Sequence, residues 1–366
     1  MAKTEEMPNN SYDTIAELSS LLLAANGDGP HELLGEFVVP ESCRPTLPFD
    51  ATSDKPLPVL DLGATDHPGG LAAKLTEICE EWGFVQVINH GVPSHILREM
   101  ATFGHSFFTL PTERKLRGAF SYLNGYGAKQ INMHGVGTPW VEGLTLRTLP
   151  ESNIAMFEAK MWPEEGNASL FQTLEQFDSA LQEFEITLLQ LLAEGLGVES
   201  SFFSQHFEKC PELTMGMHFN YYPPCPDPSK VLGALPHTDP SCLTVLYQDR
   251  ISGLQVQAKD GSWHPVEHKE DGLLVFVGDI LQGWSNGRFP AVVHQVVLNN
   301  KIPRLSFLHA TSPAGDLVIQ PAHVGGDPPR YKPFTYKGYM QYKSDLHLQR
   351  PDDTQKPIDA YAGITV

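Results

Sequence analysis

From Met215 onward the chain is cut into short apolar runs: Met215 to Tyr222, Leu243 to Gln248, Leu254 to Ala258, Trp263 to Val266, Leu273 to Val277, Val292 to Leu298, Arg304 to Ala310 and Leu317 to Gln320. Gly, Pro, Asn and Asp separate them, and these residues favour turns over strand interiors. About eight short strands with turn signals between them bury their apolar faces by closing into a jelly roll or a barrel. No apolar stretch in the sequence approaches the length of a membrane span.

The first half reads differently. Leu57 to Leu62 has the character of a strand, bounded by Pro56 and Gly63. Leu71, Leu75, Ile78 and Trp82 recur at helical spacing, and Gly83 stops that helix. Phe84 to Ile88 reads as a buried strand, and Ser94 stands where it could cap a helix carrying Ile96, Met100 and Phe103 inward. Phe171, Leu174, Phe177, Leu181, Phe184, Leu188 and Leu191 form one stripe of a long helix that ends near Gly195-Leu196-Gly197, and we read the stripe as core. A shorter helix is expected at Tyr12 to Ala25 and a last one around Thr335 to Lys343, with a loose polar tail after Leu346. The expected fold class is mixed α and β: a jelly-roll core with flanking helices and an N-terminal α/β region. The expected divisions are an N-terminal extension at 1–56, rich in Pro toward its end and wrapping the surface; an α/β region at 57–200; a jelly-roll domain at 201–346; and a tail at 347–366.

Composition narrows the classes of partner. The formal charge of −19 repels phosphate backbones and anionic lipid surfaces, so neither nucleic acid nor a membrane is expected as a partner. The five Cys residues (Cys43, Cys79, Cys210, Cys225, Cys242) are scattered and form no CxxC, which suits a reducing compartment and argues against structural zinc. A soluble, cytoplasmic chain is expected, and monomer is the default.

The chemistry centres on Pro236-His237-Thr238-Asp239. Residues i and i+2 of a strand point the same way, so extended backbone would aim His237 and Asp239 at one point. His294, in the run Val292 to Val297, is the best third ligand. Two His and one carboxylate hold one face of a metal and leave other positions open, the pattern suited to Fe(II). Arg304 and Ser306 share a strand face ten residues on. A guanidinium fork grips a carboxylate bidentately, and the hydroxyl can add a hydrogen bond. Open metal positions beside a carboxylate grip suit a bidentate 2-oxo acid.

With these residues in place the sequence resembles the plant-type 2-oxoglutarate- and Fe(II)-dependent dioxygenases, over about Leu57 to Tyr342. The matching text is Leu57-Pro58-Val59-Leu60-Asp61-Leu62; Trp82-Gly83-Phe84 through Asn89-His90-Gly91-Val92; Asn220-Tyr221-Tyr222-Pro223-Pro224-Cys225-Pro226; His237-Thr238-Asp239; Gly253-Leu254-Gln255-Val256; Gly278-Asp279 with Trp284-Ser285-Asn286-Gly287; and Arg304-Leu305-Ser306. The resemblance implies a double-stranded β-helix core and Fe(II) on His237, Asp239 and His294. It also implies 2-oxoglutarate as co-substrate, held by Arg304 and Ser306 and contacted by Tyr222 and Asn220. O2 is the oxidant, succinate and CO2 are products, and ascorbate is the expected reductant. Two departures stand out: Gln295 follows His294 where the family usually has Arg, and His218 stands where some relatives carry Lys.

Gly125-Tyr126-Gly127, Met161-Trp162-Pro163 and Leu243 to Gln248 are similar to parts of gibberellin oxidases. The expected substrate is a small, largely apolar hormone or specialised metabolite, hydroxylated or desaturated. The stretch Phe120 to Leu149, rich in Gly and carrying Tyr122, Tyr126 and Trp140, could cover that substrate or be structural. Two other readings stay open at this point. One is an oxidase of the same fold that does not use 2-oxoglutarate, and the other is a catalytically silent jelly roll that only binds.

Overall fold

A computed structural model describes residues 37–53, 55–65, 69–121, 124–127, 137–147, 152–163, 168–207, 214–322, 328–349 and 357–364, with Gly35 and Gly326. In chain order, β1 (Val59–Asp61) leads to α1 (Gly70–Trp82), β2 (Phe84–Ile88), α2 (Ser94–Phe108) and α3 (Thr112–Arg117). β3 (Ala119–Ser121), β4 (Asn124–Tyr126) and β5 (Glu142–Leu146) follow, then α4 (Ser152–Met161), the long α5 (Ala168–Leu196) and the short α6 (Ser201–Ser204). The strand-rich half contains β6 (Thr214–Tyr222), β7 (Leu232–His237), β8 (Leu243–Gln248), β9 (Leu254–Gln257), β10 (Trp263–Pro265) and β11 (Leu273–Val277). After α7 (Asp279–Trp284) come β12 (His294–Val297), β13 (Arg304–Thr311), β14 (Val318–Ile319), β15 (Phe334–Thr335), α8 (Tyr336–Gln349) and α9 (Pro357–Ala362).

Among the described residues, nine strands form one sheet in the order β1-β2-β11-β8-β13-β6-β5-β4-β3, and four form a second, β10-β9-β12-β7. The sheets face each other across an apolar layer that includes Phe84, Leu246, Leu254, Val256, Leu274, Phe276, Val292 and Val296. Alternation along each strand sends every second side chain into this layer and the rest outward. The outward face of the large sheet packs on α1, α2 and α5 through Leu75, Met100, Phe107, Phe177, Leu188 and Phe307. α5 is tied to β13 by a buried polar contact as well. His309 Nδ1 lies 3.0 Å from Glu185 Oε2, and its Nε2 lies 3.1 Å from Asp178 Oδ1. This is the jelly-roll core with flanking helices that the strand pattern predicts, and the N-terminal strands extend its larger sheet.

Gly83 ends α1 as expected, at φ 62°, with its N–H on the Cys79 carbonyl. A Cβ there would sit 2.1 Å from the Pro290 carbonyl oxygen, so only glycine fits.

Several expectations change. Ser94 is the first residue of α2 rather than its cap; Pro93 precedes the helix and no side chain caps it. Tyr126 and Trp140 are core residues, not a substrate cover. Tyr126 donates to Glu142, and Trp140 Nε1 donates to the Pro223 carbonyl at 3.1 Å. Tyr122, Cys210 and the helix expected at Tyr12 to Ala25 lie outside the described residues. The Pro-rich stretch before Lys55 is anchored rather than draped, since Phe37 and Val39 are buried and Phe37 packs edge-on against Trp140. The polar tail after Leu346 is not wholly loose: α9 docks with Ile358 fully buried.

Candidate metal centre

The metal-ligand candidates meet because two distant strands pair. β12 runs antiparallel to β7 with His294 directly opposite His237, and their ring centroids are 4.2 Å apart. Asp239 completes the group: its Oδ1 lies 3.6 Å from His237 Nε2 and 3.8 Å from His294 Nε2. All three ligand atoms fall within 4.8 Å of one another. The route to this geometry differs from the expectation. β7 ends at His237, and Asp239 lies beyond it, before Pro240. Pro240 has no N–H to continue a ladder, so the backbone leaves the strand and the carboxylate reaches the imidazoles from a loop.

The imidazoles are pre-set as ligands. His237 Nδ1 donates to the Leu235 carbonyl at 2.7 Å, and His294 Nδ1 points at the Val292 carbonyl at 3.3 Å. Each bond leaves Nε2 with its lone pair toward Asp239, the tautomer that binds metals. Burial, then the neighbouring His294, push the His237 imidazole down to about 3, which keeps it neutral. Burial works against the Asp239 charge, but His294, His237, a hydrogen bond from Thr244 and Lys343 together hold its carboxyl below the usual range. The Phe276 ring packs 4.7 Å from His294 and walls the site with apolar surface. Two imidazole nitrogens and one carboxylate oxygen, converging on one point, fit a divalent iron.

The second half of the site lies on the inner face of the large sheet. Register places Arg304 opposite Tyr222, and Ser306 between Asn220 on β6 and Gln248 on β8. Arg304 is 2 % exposed. Its Nη1 donates to Ser306 Oγ and its Nη2 to Gln248 Oε1, both at 3.1 Å, and its guanidinium lies 5.1 Å from the Tyr222 ring centroid. Arg304 has no carboxylate partner among the described residues, and its Nε is buried without a hydrogen bond. A desolvated guanidinium without an anion is costly, so this geometry calls for a carboxylate from outside the chain. Burial pushes the Tyr222 phenol up, against Arg304 and Ser306, so it remains a donor at neutral pH.

All seven sequence-predicted residues thus line the space between the two sheets, in two groups: His237, Asp239 and His294, then Arg304, Ser306 and Tyr222 with Asn220 in register beside them. Gln248 was missed. Its signal was a polar residue at a core-facing step of an apolar strand, two positions from Leu246. The departures resolve as well. Gln295 points away from the metal group and donates to Gln255 Oε1 at 2.8 Å. His218 shares the inner face with Asn220 and Tyr222, and its Nδ1 lies 2.8 Å from Thr145 Oγ1.

Two family models match the chain. The 2OG-Fe(II) oxygenase superfamily matches residues 213–313, and the non-haem dioxygenase in morphine synthesis N-terminal region matches 57–165. Gibberellin 20 oxidase 1-D of Triticum aestivum is 30% identical, over 87% of this chain and 90% of its own. Naringenin,2-oxoglutarate 3-dioxygenase of Arabidopsis thaliana is 32% identical, over 88% and 91%. The crystal structure of JOX2 in complex with 2OG, Fe and JA superposes with a TM-score of 0.78 at 26% identity, covering 95% of this chain and 97% of that one. No helix among the described residues is long and apolar enough to cross a membrane. Likeness at this identity over nearly the whole length of such oxygenases, on a fold that brings two His and a carboxylate together, decides the family: the chain belongs to the 2OG-Fe(II) oxygenase superfamily and is a 2-oxoglutarate-dependent dioxygenase that uses Fe(II).

Proposed function

We propose that His237 Nε2, Asp239 and His294 Nε2 hold the Fe(II), and that Arg304, Ser306 and Tyr222 grip the distal carboxylate of 2-oxoglutarate, with Asn220 beside them. The observation that carries this reading is the buried Arg304, which has no anion among the described residues and lies across the inter-sheet space from the clustered ligands. Charge supports it. Fe(II) with one carboxylate keeps one net positive charge and Arg304 adds another, so a dianionic 2-oxo diacid neutralises both.

When bound, the iron supplies the oxygen chemistry: 2-oxoglutarate and O2 are consumed, succinate and CO2 leave, and a substrate C–H bond is oxidised. The protein's part is placement. The Nδ1 contacts to the Leu235 and Val292 carbonyls orient the imidazoles, and the Arg304 fork with its hydroxyl neighbours fixes the far end of the co-substrate. Phe276 and Leu246 keep water from the space between.

We propose a small, largely apolar hormone or specialised metabolite as substrate, hydroxylated or desaturated. Along the inner face Asn220, Tyr222 and Ser306 are buried, whereas His218 and Leu308, paired across β6 and β13, keep partial exposure. That end supports an apolar entrance, with His218 and Thr145 offering a polar contact. The relatives, named for gibberellins and naringenin, suit the same size and polarity. We also propose a soluble cytoplasmic monomer, divided near residue 200 into the α/β region at 57–200 and the jelly-roll domain at 201–346. The test is succinate release in air with Fe(II), ascorbate and 2-oxoglutarate, across gibberellins, flavanones, auxins and phenylpropanoids. A product heavier by one oxygen, or lighter by two hydrogens, names substrate and reaction. Loss of succinate release in His237→Ala ties it to the assigned ligands, and its persistence there refutes them.

A further inference from the structure

The segment carrying His237 and Asp239 is gripped from behind by residues far along the chain. Lys343, on α8, donates to the Thr238 carbonyl at 2.7 Å and to Asp279 Oδ2 at 2.9 Å. The Asp279 backbone N–H donates to the Asp239 carbonyl at 2.8 Å. Tyr339, one turn before Lys343, donates its hydroxyl to the same Asp279 Oδ2. Thr238, Asp279, Tyr339 and Lys343 are all buried. The carbonyls of two consecutive residues, one of them the proposed ligand Asp239, are thus held by a Lys–Asp pair that joins three elements.

Stability alone does not account for this pair. A buried ion pair is about as stable as, or less stable than, apolar residues of the same volume. Asp279 also keeps its other carboxylate oxygen, Oδ1, buried without a hydrogen bond among the described residues, a further cost. The pair does offer direction. Backbone that has left β7 has no ladder to fix it, and Lys343 and Asp279 supply hydrogen bonds in its place. Turning the 238 or 239 peptide would swing the Asp239 carboxylate away from the two Nε2 atoms.

We propose that Lys343 and Asp279, steadied by Tyr339, are positioning residues for the metal centre, so that α8 sets Fe(II) affinity by fixing the 237–239 backbone. The inference rests on the ligand assignment of His237, Asp239 and His294. The experiment measures anaerobic Fe(II) affinity by chelator competition and the Co(II) absorption spectrum on the full chain, with melting temperature alongside. Lys343→Met should weaken Fe(II) binding roughly 10- to 100-fold, the range seen when outer hydrogen-bond partners of a metal site are lost, and should alter the Co(II) spectrum. Lys343→Met with Asp279→Leu should recover the melting temperature but not the affinity. Tyr339→Phe keeps the packing and removes one hydrogen bond, so it folds and should weaken binding a few-fold. Affinity within about twofold of the parent in both Lys343→Met and Tyr339→Phe, or affinity that returns with the melting temperature in the double variant, would overturn the proposal. His237→Ala is the blank: if it still binds Fe(II) like the parent, the ligand assignment falls, and the positioning role with it.

Discussion

Replacing Arg304 with Met should move co-substrate affinity and apo stability in opposite directions. The side chain is 2 % exposed and donates to Ser306 and Gln248, and its Nε has no partner among the described residues. Met fills similar volume without charge. Removing one partner of a buried, hydrogen-bonded charge pair costs about 2–5 kcal/mol. At about 1.4 kcal/mol per tenfold, 2-oxoglutarate affinity should fall roughly 30-fold to a few thousand-fold. The apo protein loses a desolvated cation that has no anion among the described residues, so its melting temperature should stay level or rise. Arg304→Lys keeps charge but not the fork, and should fall between parent and Met. The assay is an anaerobic titration of 2-oxoglutarate into Fe(II)-loaded protein by calorimetry, with thermal melts of the apo form. A loss below about threefold in Arg304→Met would show that the carboxylate grip lies elsewhere, and a sharp drop in apo melting temperature would show that Arg304 is structural.

Asp239→Ala should abolish substrate-dependent succinate release while circular dichroism stays native, and retained turnover would remove Asp239 from the ligand set. His309 gives a pH dependence. Burial opposes its charge, but Glu185 and Asp178 outweigh burial and raise its pKa from 6.5 to about 10. The contribution is therefore complete below about pH 6.5 and is lost as pH rises through about 10. Urea midpoints should fall across that window, and His309→Gln should flatten the fall; an unchanged slope would disprove the pairing. Phe276→Ala removes a ring packed between Phe84 and His294 and should cost about 3–5 kcal/mol in urea unfolding, whereas a loss under about 1 kcal/mol would mean that the inter-sheet layer is loosely packed there.

The sequence by itself determined what local pattern encodes. Short apolar runs between turn residues marked β6, β8, β11 and β13, helical spacing marked α1 and α5, and Gly83 marked a stop. These signals depend on neighbours within a few residues, through backbone sterics and one-sided burial. Residue chemistry at His237, Asp239, His294, Arg304 and Ser306 was legible for the same reason: few side-chain types bind a divalent metal or fork a carboxylate. The tertiary structure alone decided which distant residues share a space. β12 pairing with β7 sets His294 against His237, and β13 between β6 and β8 sets Arg304 among Tyr222, Ser306 and Gln248. Register between strands follows from the packing of the whole core, which no window of sequence contains. For the same reason nothing local showed that Asp239 lies outside its strand, that Trp140 and Tyr126 are core, or that Lys343 reaches back to the backbone of Thr238. Each depends on a contact between segments that only the folded chain brings together.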